Sequence, residues 1–188
     1  EEDGYFIILS STHYTNTGFY FDDKLLKTDL YGELKWVKSL DSIPENTNVS
    51  SLKSAIKTSD NHYLISGTRS VNNDLLDQAL LLKLNLEGDT IWSSVFGEEG
   101  KDVAIIPYGL PSGNILTLGY KRLGTEPTKI FVSKHTPNGE MLWNKEIEIG
   151  CEFRFILTAN STEEDNILLG YECYGDGTGD KFPNIMEI

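Results

Sequence analysis

The sequence predicts an all-β protein built from one four-stranded unit repeated along the chain. Three observations lead there. All three tryptophans lie in one local context: Lys27, Gly32 and Trp36; Lys83, Gly88 and Trp92; Lys134, Gly139 and Trp143. Lys to Gly is five residues in each copy and Gly to Trp is four, while the tryptophans are spaced by 56 and 51 residues. A second element recurs beside the first: residues 3–10, 60–67, 112–119 and 164–170 each open on turn residues and continue as an apolar run. Thirdly, no segment sustains the ~3.6-residue apolar period of a helix. Short apolar runs alternate instead with Gly, Asn and Asp turns, which is the punctuation of β-structure.

The second copy shows the unit in full. Its strands are expected at 54–58, 63–68, 80–84 and 90–95, with a tight turn at 59–61, a polar loop over 70–77 and a turn around Glu87-Gly88. Four strands in a unit of ~50 residues is the period of a β-propeller blade. The run Leu80-Leu81-Leu82 is apolar at consecutive positions, as expected of a strand dry on both faces. Four antiparallel blades are therefore expected, at about 3–40, 52–96, 102–147 and 152–188. The first lacks its opening strand and the last its closing one, which makes about three and a half blades of a partial ring. An open arc exposes strand edges and dry faces. The expectation is an N-terminal part of a larger ring, or a ring completed by other chains.

Composition narrows the function classes. The 188 residues carry 29 acidic and 16 basic side chains, a formal charge of −13. Such a chain repels phosphate backbones and anionic lipid surfaces, so no nucleic-acid partner is expected. No apolar run approaches the ~18–20 residues of a membrane span. The chain opens Glu1-Glu2-Asp3-Gly4, with neither Met nor a basic n-region.

The pattern Asp-x-x-Gly-x-x-x-Trp runs from Asp29 to Trp36, and relaxes to Asn85–Trp92 and Thr136–Trp143. It resembles the repeat of pyrroloquinoline-quinone-type propellers, and still more the repeats of bacterial secreted and lipid-anchored propellers. That resemblance covers essentially the whole chain. It implies an extracytoplasmic protein of the bacterial surface or periplasm, lipid-anchored to the outer membrane. It also implies a protein partner, as in an accessory subunit of an outer-membrane assembly or nutrient-uptake complex.

Repeated residues serve the blade first. Gly32, Gly88 and Gly139 are expected to supply the positive φ of a hairpin turn, and Trp36, Trp92 and Trp143 to cover blade-to-blade contacts. Lys27, Lys83 and Lys134 read as solvated strand ends. A functional site should break the repeat instead. Asp176, Thr178 and Asp180 present oxygen ligands at alternate positions, as calcium loops do, against a plain connector as the favoured reading. No other cofactor is implied. The segment 41–48, with Pro44, lengthens the first unit as irregular loop. Cys151 and Cys173 fall in the fourth copy, where antiparallel pairing about its first turn would make them cross-strand neighbours. A disulfide and two buried thiols stand as equal alternatives.

No nucleophile elbow, metalloprotease helix, phosphate loop or Cys-x-x-Cys occurs. His13, His62 and His135 share no repeat position. The sequence therefore favours a non-catalytic binding or scaffolding propeller. The alternatives are a carbohydrate-active or quinoprotein propeller enzyme and a carbohydrate-binding module, for which glycan would be the partner. A glycosidase needs two placed carboxylates, and the sequence singles out no pair.

Overall fold

The computed structural model describes the backbone of residues 4, 6–15, 18–39, 48–70, 77–97, 101–124, 128–148, 152–161, 167–174 and 181–187. Fourteen strands in these residues form four antiparallel sheets, each a simple meander. Blade 1 holds β1 (Phe6–Thr15), β2 (Gly18–Thr28) and β3 (Leu34–Ser39). Blade 2 holds β4 (Asn48–Lys57), β5 (Tyr63–Ser70), β6 (Asp77–Leu84) and β7 (Thr90–Phe96). Blade 3 holds β8 (Lys101–Gly109), β9 (Ile115–Arg122), β10 (Lys129–His135) and β11 (Met141–Ile147). Blade 4 holds β12 (Glu152–Ser161), β13 (Ile167–Tyr174) and β14 (Lys181–Glu187). The edge strand β8 packs on β4, β5 and β6, so blades meet along their first strands. The fold is the all-β partial propeller expected from the repeat.

The seams between blades form the core. Along β6, Leu80, Leu82 and Leu84 turn towards blade 1 and pack with Leu25, Leu52 and Tyr63. The alternate residues Ala79 and Leu81 turn towards blade 3 and pack with Phe96, Ala104 and Phe131. All five β6 residues are at most 1% exposed. Each fully buried Leu contributes roughly 1.5–3 kcal/mol of transfer free energy. A third seam joins Leu116, Leu118 and Val132 of blade 3 to Leu169 and Tyr171 of blade 4.

The repeated motif is a turn and a lock. In the turn after β2, the Gly32 N–H donates to the Asp29 carbonyl and the Asp29 N–H to the Glu33 carbonyl. The same pair of bonds recurs in Asn85–Asp89 and Thr136–Glu140. The side-chain oxygen of the first residue also accepts an N–H four residues on: Glu33 to Asp29, Asp89 to Asn85, and Glu140 to Thr136. Asp, Asn and Thr thus interchange because each brings a short-reach acceptor. Gly88 and Gly139 have φ of 79° and 85°. They also leave room for the preceding blade. A Cβ on Gly88 would lie 2.6 Å from the Trp36 ring, and one on Gly139 2.7 Å from the Trp92 ring. The Trp92 indole N–H donates to the Pro137 carbonyl at 3.1 Å, and Lys38 pairs with Asp89 across the first seam. Gly32 has the same positive φ, 83°, but a Cβ there would meet nothing within 4 Å.

Two sequence expectations change. Lys27 and Lys83 are not solvated, being 6% and 7% exposed. Lys27 donates to the Tyr63 hydroxyl of the next blade, and Lys83 to Asp60 at 2.6 Å. Their aliphatic stems extend the apolar seam while the ammonium finds an oxygen at the turn. The second change concerns register. The first strand of blades 2, 3 and 4 bulges after Leu52, Ala104 and Ile156, positions spaced by 52 residues each time. The bulge sets Leu52 against Gly67 and Ala104 against Gly119, but Ile156 against Tyr171. Tyr171, rather than Gly170, therefore occupies the glycine slot in blade 4. The bulges also set Phe153, rather than Cys151, opposite Cys173. Cys151 lies outside the described residues, as do 41–47.

The turn glycines separate two costs. Gly32→Ala carries only the left-handed backbone penalty, roughly 1–2 kcal/mol. Gly88→Ala adds displacement of the Trp36 ring, so urea denaturation is expected to show the larger loss for Gly88→Ala. Equal losses would mean that the Trp–Gly contact stabilises nothing.

Candidate functional site

Superposing the blades by their pairing registers makes the repeat its own reference. Between blades 2 and 3, most buried positions among the described residues hold an apolar residue in both. A few hold a polar one in a single blade, and these are the candidates for function.

Asp23 is the first. It lies on β2 four residues before the repeat lysine, where blades 2 and 3 carry Ala79 and Ile130, both fully buried. Asp23 is itself only 5% exposed. Its Oδ2 accepts the backbone N–H of Leu52 at 2.6 Å. Leu52 sits between the two bulges of β4, where the ladder is interrupted. A carboxylate thus reaches across the seam to satisfy an amide that the bulges displace, a charge-assisted bond.

Asp102 is the second. It stands on β8, the first strand of blade 3, opposite Lys121. The equivalent pairing positions in blades 2 and 4 hold Val49, opposite Arg69, and Phe153, opposite Cys173. Asp102 is 3% exposed. Its carboxylate folds over Gly97, where an added Cβ would lie 2.3 Å from Oδ2, and Gly97 has φ of 118°. The outer bulge that follows Val49 in β4 and Phe153 in β12 is missing from β8. Nearby on the outer strands, Glu146 accepts from Lys121 and Lys129 at 2.8 and 3.1 Å. Those two lysines hold its carboxyl below the usual carboxylate range, Lys121 contributing most.

The third exception is a group of three on the face of blade 3 that meets blade 2: Thr117, Ser133 and His135, all fully buried. Blade 2 holds Ile65, Leu82 and Leu84 in the same slots.

The sites expected from sequence fare differently. Asp176, Thr178 and Asp180 lie outside the described residues. Among the described residues, no group of three or more His, Cys, Asp or Glu is placed to hold a metal ion. His62 and His135 belong to different blades, with His62 Nδ1 3.2 Å from Asp60. Asp23 was legible in the sequence, since counting back four residues from each repeat lysine exposes it. Asp102 was not, because bulges shift the count along the first strand by a different amount in each blade.

Neither a protein-family model nor a curated protein sequence matches the chain. Solved structures do. Its whole length superposes on 72% of an endo-arabinase from Bacteroides thetaiotaomicron, with a TM-score of 0.56 and 12% identity. Its whole length also covers 69% of a thermostable family-43 glycoside hydrolase, at TM-score 0.57 and 11% identity. Of the chain, 97% covers 45% of the GH32 β-fructofuranosidase BmSUC1 from Bombyx mori, at TM-score 0.58 and 13% identity. At such identities the likeness is one of fold.

These neighbours correct the sequence reading of a non-catalytic scaffold, since all three are glycoside hydrolases. The absence of a contiguous catalytic motif was a poor guide: in a propeller, acids from strands far apart in sequence are brought together only by the ring.

Asp23→Ala would leave the Leu52 N–H buried and unpaired, at a cost of roughly 1–3 kcal/mol. Asp23→Asn keeps an acceptor and should cost less. Guanidinium denaturation of the two variants tests this, and equal losses would remove the assigned bond.

Proposed function

We propose that the chain is carbohydrate-active and belongs to an enzyme that hydrolyses glycosidic bonds. The observation that carries this reading is the end-to-end likeness to an endo-arabinase and to a family-43 glycoside hydrolase. Glycoside hydrolysis needs one carboxylic acid to protonate the leaving oxygen and a second carboxylate as nucleophile or base. A chain with 29 acidic residues has no shortage of them, so position must select. Asp102 is the acid we assign to the reaction. It is carried on the first strand of its blade, replaces an apolar residue, and is held by a backbone that only glycine at position 97 allows. Asp23 holds the neighbouring strand β4 in place. An extracytoplasmic location, as the repeat resemblance implies, suits a polymeric glycan as substrate.

Release of reducing sugar from arabinan and from sucrose, measured on the purified chain, tests the proposal. Hydrolysis of either is expected, with Asp102→Asn lowering the rate by about 10²-fold or more at unchanged melting temperature. If neither glycan is cut, or the Asn variant keeps full activity, the assignment falls.

A further inference from the structure

The three polar residues on blade 3 have no part in that chemistry. The seam between blades 2 and 3 is built mainly from apolar residues, Leu64, Leu81, Phe96, Ile115 and Phe131, with Ser66 bonded across it to the Ile105 carbonyl. Thr117 and Ser133 are cross-strand partners, and His135 follows two residues along the same face of β10. The equivalent partners are Ile65 and Leu82 in blade 2, and Leu169 and Met186 in blade 4. Nothing in the repeat therefore demands polarity there.

His135 is the member that can change charge. Its Nε2 meets Ser133 Oγ at 2.9 Å, and its ring lies against Phe96 of blade 2, centroids 4.8 Å apart. His135 Nδ1 and Thr117 Oγ1 are buried without a hydrogen-bond partner among the described residues. We propose that this cluster is an acid-sensitive joint, at which protonation of His135 loosens blade 3 from blade 2.

The surroundings favour the neutral imidazole. Burial pushes its pKa down to about 4, opposed only by the Gly139 backbone, which falls short of hydrogen-bond geometry. The groups facing it are Ser133 on its own strand, Ile115 and Thr117 on β9, and Phe96 on β7. No charged side chain among the described residues contributes to its titration. A cation formed there has no anion among the described residues to pair with. The sign follows from linkage. The folded form holds its proton less tightly than the unfolded chain, whose histidine titrates near 6.5. Stability is full above about pH 6.5 and declines as pH falls towards about 4, by on the order of a hundredfold in the folding constant.

Urea denaturation between pH 7 and 5 tests the joint, since carboxylates contribute little over most of that range. The wild-type chain is expected to lose stability on acidification, with faster amide exchange in β7 and β10. His135→Leu restores the residue type of blade 2 and should remove most of the pH dependence. His135→Gln keeps a polar group that cannot titrate, and should also flatten the profile while starting from lower stability. If both variants keep the wild-type slope, the slope belongs to His13 or His62 and the joint is disproved. If the slope vanishes but exchange at β7 and β10 is unchanged, His135 titrates without opening the seam, which also overturns the proposal.

Discussion

A blade here cannot be dry unless it has neighbours on both sides. β6 shows why: every residue from Ala79 to Leu84 is buried, and successive side chains point to opposite seams. Loss of one neighbour would expose the leucines of that face to water, at roughly 1.5–3 kcal/mol each. Folding is therefore cooperative between blades, and every other feature of the chain is arranged around keeping the seams closed.

The tryptophan lock is the most regular of these arrangements. A left-handed glycine ends each of the three turns, and at Gly88 and Gly139 the indole of the preceding blade lies where a side chain would be. One residue type thus meets two demands, a positive φ and a close approach, so the motif tolerates Asp, Asn or Thr at its start but keeps Gly. The buried lysines work at the same level. Lys27 reaches forward to Tyr63 of the next blade, whereas Lys83 turns to Asp60 of its own, and both keep the ammonium hydrogen-bonded.

The bulges do the opposite work, introducing irregularity at a regular interval. Recurring every 52 residues on the first strands, they turn backbone amides out of the ladder and need polar partners to receive them. Asp23 answers one such need. Ser66 answers another, donating to the carbonyl of Ile105, the bulged residue of blade 3. Against this background Asp102 and the Thr117–Ser133–His135 group stand out as buried polar residues at positions that are apolar in blade 2.

Period, strand count and blade architecture follow from the sequence alone, because turn chemistry and apolar runs are local and recur with the blade. Asp23 was also within reach, since the lysine that marks its register is only four residues away. The non-catalytic reading rested on the absence of contiguous motifs, which a propeller does not need in order to build a site. Tertiary structure decided the rest. It showed Lys27 and Lys83 as buried, since whether a strand end meets water depends on the next blade. It also set Phe153 rather than Cys151 against Cys173, and isolated Asp102 and His135 as exceptions. Each of these depends on bulges and seams, where one extra residue changes which side chain faces which neighbour, and no spacing along the chain records that.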